Sequence, residues 1–111
     1  MLAQNKGASP LYRQFTREGA ALRIWFDHAG TSLKTRDGGP VTGFQIAGAD
    51  GKYVAATATI DGTTVRVWSP DVPDPRSVRY AWDYNPAANL INSLGLPASL
   101  FRTNENDEPI R

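Results

Sequence analysis

Two tryptophans, each two residues from an arginine, are the side chains of this sequence best suited to binding chemistry. Trp25 and Trp68 both lie in segments where apolar and polar residues alternate. Because successive side chains of a strand point to opposite faces, the alternation predicts that both tryptophans, with Arg23 and Arg66, face away from the core. Exposed tryptophans beside arginines can stack on sugar rings and hydrogen-bond hydroxyls, and they also form protein interfaces. The four residues therefore predict a glycan-binding or protein-binding surface, unless a loop folds over them.

Hydrolytic chemistry has little support in the residue types present. His28 is the only histidine, and it directly follows Asp27. On a strand these two side chains point to opposite faces, so the carboxylate cannot readily orient the imidazole. Neither a G-x-S-x-G elbow before a helix nor a Gly-Asp-Ser block occurs. We therefore expect no catalytic residue, and we expect His28 to hydrogen-bond the loop 29–34 at the end of a strand.

Metal and cofactor chemistry is equally weak in this sequence. One histidine, no cysteine and scattered carboxylates offer no transition-metal cluster. The Gly38-Gly39 pair is not a phosphate loop, because no Lys-Ser/Thr and no helix pattern follow it. We therefore expect no metal and no cofactor, with a structural Ca²⁺ at loop oxygens such as those of Asp71 and Asp74 as the remaining alternative.

Composition indicates a single globular domain. The chain has 111 residues, of which 41% are hydrophobic and 21% charged. The net charge of +1 gives no attraction to nucleic acid or to an anionic membrane. Residues 1–9 lack the apolar stretch of a signal peptide, and no apolar run approaches the roughly 20 residues that span a membrane. We therefore expect a chain with neither nucleic acid nor membrane as a partner.

Short strands separated by turns must position these residues. Strands are predicted over 11–17, 21–27, 41–47, 53–60, 64–69 and 76–83, with a short seventh over 99–102. Asp61-Gly62 predicts a tight hairpin, and Trp82, which shares a strand face with Tyr80, is predicted to be buried. The fold expected is an all-β antiparallel sandwich of about six to eight short strands, jelly-roll or Ig-like, over 10–103, between a lead-in (1–9) and a polar tail (104–111).

The segment 79–103 is too apolar for an exposed loop. We expect its second half to pack over one end of the core, with asparagine side chains capping backbone groups that no strand ladder satisfies. Its spaced motifs are Arg79-Tyr80-Ala81-Trp82, Asn85-Pro86, Asn89-Leu90, Gly95-Leu96-Pro97-Ala98 and Phe101-Arg102-Thr103. Upstream motifs in the same order are Pro10-Leu11-Tyr12, Phe26-Asp27-His28-Ala29-Gly30 and Gly43-Phe44-Gln45-Ile46-Ala47-Gly48.

In this order the motifs resemble the C-terminal domain of the sialate O-acetylesterase family, carbohydrate esterases with an SGNH-type catalytic domain. Leu100 departs from the proline expected there. The resemblance implies that the catalytic serine and its Asp/His pair lie in an upstream domain, so no catalytic residue carries over. It also implies structural roles for the closing-segment residues Tyr80, Trp82, Asn85, Asn89 and Phe101.

The resemblance implies a non-catalytic accessory domain that packs against and supports an upstream catalytic domain. Its partner would be that SGNH-type domain, or a second copy of this chain bound through the surface that otherwise contacts the catalytic domain. The full-length esterase would be secreted or periplasmic. A chain starting at these residues would then be a detached piece. Two alternatives remain: an independent carbohydrate-binding module that binds a polysaccharide or glycan through Trp25 and Trp68, and, less favoured, a free-standing enzyme built around His28.

Overall fold

The computed structural model describes residues 8–82 and 88–103, and they form an antiparallel β-sandwich, as expected from the sequence. One sheet has the order β1-β2-β7-β6, the second has the order β10-β8-β4-β5, and β3 pairs with β9. The predicted tail 104–111 and most of the lead-in 1–9 fall outside the described residues. The strands are β1 (Leu11–Glu18), β2 (Ala21–Asp27), β3 (Lys34–Thr35), β4 (Phe44–Ala47), β5 (Val54–Ala55), β6 (Thr57–Asp61), β7 (Thr64–Trp68), β8 (Ser77–Tyr80), β9 (Leu90–Ile91) and β10 (Phe101–Arg102).

Two tight hairpins build the first sheet. Glu18 pairs with Ala21 across the first turn, so two residues connect β1 to β2, and the β6–β7 turn has the same length. In each turn the first loop residue is a glycine with positive φ, 63° at Gly19 and 64° at Gly62. That backbone conformation strains residues with a β-carbon, which is why the predicted Asp61-Gly62 turn forms where it does.

The inner face of the first sheet carries the aliphatic residues that the alternation predicts. Leu22, Ile24, Val65 and Val67 are all 0% exposed. They form two cross-strand pairs, Leu22 with Val67 and Ile24 with Val65. Burial of each such side chain stabilises the fold by about 1.5–3 kcal/mol before entropy is counted. This apolar face packs into the same core as Ile46 and the other inner residues of the second sheet.

The predicted strand over 53–60 is divided between the two sheets. β5 pairs with β4 in the second sheet, whereas β6 pairs with β7 in the first. At the junction, the Ala56 backbone N–H donates to the Phe44 carbonyl oxygen at 3.1 Å. The inward residues remain in phase across the division, so hydrophobic alternation alone does not reveal where the chain changes sheets.

A layer made from loops 29–41 and 88–98 closes one end of the core. β3 and β9 pair within it, and Leu90 is 1% exposed. Asn89 and Asn92 are both buried there, and their amides bond backbone groups of neighbouring loops. The expected capping by asparagines is therefore confirmed, and the expected packing of the apolar run holds for Leu90 and Ile91 but not for Leu94 and Leu100, which are exposed.

An aromatic cluster fills the core beside this layer. Tyr12 stacks on Phe101 with ring centres 4.8 Å apart, and Phe26 meets Phe101 edge-on at 5.8 Å. The rings of Phe44 and Tyr80 are 4.7 Å apart. Tyr80 is 2% exposed, and burial raises the pKa of its hydroxyl. The backbone N–H of Leu90 donates a hydrogen bond to this hydroxyl, which acts to lower the pKa. Two of the predicted closing-segment residues, Tyr80 and Phe101, are thus core residues.

Candidate functional site: two arginine–aromatic sheet faces

The outer face of the first sheet carries the four residues predicted to form a binding surface. Trp25 and Trp68 are half-buried, and Arg23 lies directly opposite Arg66 on the neighbouring strand. The guanidinium of Arg66 lies over the Trp68 ring, 5.1 Å from its centre. The strands therefore place the four side chains on one face, with the two arginines between the two tryptophans.

The polar groups of this face are engaged with one another. Arg23 donates to Glu18 at 2.5 and 3.1 Å, to Asp61 at 2.8 Å and to Thr64 at 2.7 Å. The hydrogen bond from Arg23 lowers the pKa of Glu18, and Glu18 also lies 3.5 Å from Arg66. One carboxylate of the chain itself therefore serves both arginines of this cross-strand pair. A ligand would have to displace that carboxylate, so the face is a weaker binding surface than its residue types suggest.

A second arginine–aromatic surface, which the sequence reasoning missed, lies on the outer face of the second sheet. Arg79 on β8 is the cross-strand partner of both Gln45 and Arg102. Its Nε donates to Gln45 Oε1 at 2.6 Å, and its guanidinium lies 4.1 Å from the centre of the Tyr53 ring. The Tyr53 hydroxyl in turn donates to Ser77 Oγ at 2.9 Å. Arg79 is therefore held in one orientation from two sides.

Trp82 belongs to this surface, and its predicted place in the core is wrong. It is half-buried, with the guanidinium groups of Arg79 and Arg102 at 5.6 and 5.7 Å from its ring centre. β8 ends at Tyr80, and Ala81 has φ of 58°, in the left-handed region. That conformation breaks the two-residue alternation, so Trp82 turns to the face of Arg79 instead of the face of Tyr80.

A shallow depression of about 390 Å³ adjoins this surface. Tyr53, Arg76, Ser77, Arg102 and Thr103 contribute to its lining. We call Tyr53, Arg79, Trp82 and Arg102, with this depression, the second-sheet surface. The alternation within 77–80 already places Arg79 opposite Tyr80. The grouping with Tyr53 and Arg102 requires the strand order, which the sequence does not reveal.

Three large apolar side chains are exposed at the end of the sandwich where residues 8–10 lie. Leu11, Leu94 and Leu100 are 45%, 58% and 61% exposed. Residues 8–10 run beside the loop 92–99, because the Ser99 N–H donates to the Pro10 carbonyl at 3.1 Å and Asn92 Nδ2 donates to that of Ala8 at 3.1 Å. The three leucines thus share one end of the molecule, which we call the leucine end.

Two other predicted closing-segment residues have separate outcomes. Asn89 is 2% exposed, accepts the Thr42 N–H at 2.9 Å and donates to Pro40 O and to Asp37 Oδ1. The pKa of Asp37 is lowered, mainly by the hydrogen bond from the Gly39 N–H and to a smaller extent by the one from the Asn89 amide. The buried amide of Asn89 therefore joins the loop 37–42 to the start of β9. Asn85 lies outside the described residues.

The residues considered for catalysis or metal binding are dispersed. His28 is exposed with φ of 63°, and its carbonyl oxygen accepts Asn92 Nδ2 at 3.0 Å. Asp71 and Asp74 both line a depression of about 400 Å³, but Asp74 is ion-paired with Arg76 at 3.1 Å. Among residues 8–82 and 88–103, no three His, Asp or Glu side chains are grouped so as to hold a metal ion. The same residues contain no helix long and apolar enough to cross a membrane.

The fold and its surfaces thus define a β-sandwich module with two arginine–aromatic sheet faces and an apolar end. No family model matches the sequence, and no curated protein matches it. Among solved structures, the chain is similar to a carbohydrate acetylesterase from Xanthomonas citri, with a TM-score of 0.81 and 46% sequence identity. The similarity covers 87% of this chain and 23% of that chain. The chain is therefore similar to one part of that enzyme and spans less than a quarter of the enzyme's length.

Proposed function

We propose that this chain is a non-catalytic accessory β-sandwich domain of a carbohydrate esterase, and that it packs against and supports a catalytic domain. The observation that carries the proposal is the 46% identity with a part comprising 23% of a carbohydrate acetylesterase chain. The motif resemblance supports the finer assignment, to the C-terminal domain of sialate O-acetylesterase-like enzymes with an SGNH-type catalytic domain. A secreted or periplasmic parent belongs to the same proposal.

The leucine end is the surface that we assign to contact with the catalytic domain. Leu11 follows Ala8, the first described residue, by three positions, and Leu94 and Leu100 lie beside Asn92 and Ser99, which hydrogen-bond Ala8 and Pro10. Clustered exposed apolar side chains on a small domain are typical of an interface. The same patch gives the isolated chain a route to self-association. A strictly monomeric chain in light scattering at high concentration would therefore count against this assignment.

A chimera tests the proposal. In the Xanthomonas citri enzyme, the segment similar to this chain is replaced by this chain, and hydrolysis of an aryl acetate and thermal unfolding are measured. We expect an active enzyme that unfolds in one transition. We also expect the substitutions Leu11→Asp, Leu94→Asp and Leu100→Asp to lower the chimera's activity and its midpoint of thermal unfolding. The isolated chain with the same substitutions should keep an unchanged midpoint of thermal unfolding.

The matched control introduces the same charge at Ala20 and Ala49, two exposed turn residues away from the leucine end. Ala20→Asp and Ala49→Asp should leave the chimera unchanged. An inactive chimera whose grafted domain is folded would contradict the accessory role. Equal effects of the leucine and alanine substitutions would contradict the assignment of the leucine end.

A further inference from the structure

Each sheet carries a pair of arginines directly opposite each other, and among the described residues an anion of the chain contacts only the pair of the first sheet. On the first sheet, Arg23 and Arg66 are directly opposite, and Glu18 lies 2.5 Å from the first and 3.5 Å from the second. On the second sheet, Arg79 and Arg102 are directly opposite. Within residues 8–82 and 88–103, no carboxylate lies within 4.0 Å of either.

Two like charges directly opposite on neighbouring strands destabilise a sheet unless an anion lies between them. On the first sheet, the carboxylate of Glu18 offsets the repulsion between Arg23 and Arg66. This arginine pair lies beside a tryptophan, with Arg66 over Trp68. The second sheet repeats the pair beside Trp82, and within residues 8–82 and 88–103 no carboxylate takes the place that Glu18 has on the first sheet. An external carboxylate would meet the same two positive charges there.

The second-sheet surface is also prepared to receive such a group. Gln45 holds the Nε of Arg79, and the Tyr53 ring supports its guanidinium, so the terminal nitrogens of Arg79 keep their direction before a ligand arrives. A guanidinium fixed in this way binds a planar carboxylate with little loss of side-chain entropy. Trp82 adds an aromatic ring beside the two guanidinium groups, and Tyr53 and Ser77 line the adjoining depression. Its volume, about 390 Å³, is within the range of ligand pockets.

We propose that the second-sheet surface binds an acidic polysaccharide built of uronate sugars. A sugar carboxylate would lie between Arg79 and Arg102, its ring would contact the Trp82 side chain, and an adjacent sugar would occupy the depression. Aromatic faces flanked by hydroxyl groups fit sugar rings, whereas the net charge of +1 gives little general attraction for polyphosphates.

The test is calorimetric titration of the chain with oligogalacturonate, and with the same oligomer after full methyl esterification. We expect the acidic oligomer to bind, the ester to bind at least tenfold more weakly, and added salt to weaken the acidic complex. Arg79→Gln and Arg102→Gln should each weaken binding roughly 10- to 100-fold, as expected for the loss of a charge-assisted hydrogen bond. Trp82→Ala should also weaken it.

Arg66→Gln is the matched control, because it removes one member of a cross-strand arginine pair beside a tryptophan on the other sheet. It should change the affinity by less than about twofold. Arg102 is exposed, so Arg102→Gln remains informative even where Arg79→Gln impairs folding.

Other ligands in the same assay determine whether the chemical class is correct. Absence of binding by the acidic oligomer, equal binding of its ester, or an equal loss in Arg66→Gln would overturn the proposal. Single-stranded DNA bound as tightly as the uronate oligomer would replace it with a general polyanion site. Tighter binding of a sialylated glycoprotein, with its single terminal carboxylates, would refute the polyuronide class.

Discussion

Asn92 holds the loop layer at the end of the sandwich, and its removal should destabilise the fold strongly. Its Nδ2 donates to the carbonyl oxygens of Ala8 and His28 at 3.1 and 3.0 Å. Its Oδ1 accepts the N–H groups of Leu94 and Leu96, each at 3.0 Å. The residue is 1% exposed. One amide therefore joins the entering chain, the end of β2 and the closing loop.

The magnitude follows from these four bonds. A typical hydrogen bond contributes about 1 kcal/mol net, and a buried group left without a partner costs about 1–3 kcal/mol. Water can reach the partners near the surface after the side chain is removed, so the four effects will not add fully. We expect Asn92→Ala to lower the free energy of unfolding by about 3 kcal/mol. For a domain of this size, that is a fall of about 12 °C in the melting midpoint, at about 4 °C per kcal/mol.

Asn92→Asp provides a sharper test, because it keeps the size of the side chain and both accepted N–H bonds. Its second carboxylate oxygen would face the carbonyl oxygens of Ala8 and His28, and burial adds to this repulsion. Both effects raise the folded-state pKa of the introduced carboxyl. The variant should therefore be destabilised at neutral pH and should recover stability, relative to the parent, as the pH falls and the carboxyl takes up a proton.

Urea unfolding followed by tryptophan fluorescence measures both variants. Gln45→Ala is the control, since among the described residues its side chain bonds only Arg79, on a sheet surface, and the substitution should cost less than about 1 kcal/mol. An Asn92→Ala variant that loses less than 1 kcal/mol, or an Asn92→Asp variant with no recovery at low pH, would refute the role of Asn92 in closing this end.

Two further predictions concern single polar contacts. Tyr80→Phe removes the hydroxyl that accepts the N–H of buried Leu90 at 2.9 Å. We expect it to lower the free energy of unfolding in urea by about 1–3 kcal/mol. The control Tyr53→Phe, at a half-buried position, should lower it by less. The hydrogen bond from Arg23 lowers the pKa of Glu18 in the folded state. The stability that this ion pair contributes is therefore fully present above the unfolded-state pKa of Glu18 and is lost as the pH falls through the folded-state pKa. Glu18→Gln should therefore lower the free energy of unfolding by at most about 1 kcal/mol at neutral pH, and the variant should lose less stability than the parent as the pH falls. The same loss of stability at acid pH in both proteins would show that the ion pair contributes nothing.

Alternation and turn chemistry made most of the fold predictable. The inward residues of β2 and β7 follow from a two-residue period, and Gly62 locates a hairpin from local backbone geometry alone. Three features depend on contacts that no local pattern encodes: the division at Ala56, the β3–β9 pair, and the reversal at Ala81. The first surface was predictable because each of its strands carries its own tryptophan. The second was not, because Tyr53, Arg79 and Arg102 meet only through the strand order.

The crossing at Ala56 has a mechanical consequence. β5 leads into β6 through a single residue, Ala56. Its N–H is bonded to the second sheet, while the next residue, Thr57, pairs in the first. Either sheet can open only by pulling on the edge strand of the other. We therefore expect the amide protons of β5 and β6 to exchange with solvent at similar rates, and the domain to resist a pulling force as one unit.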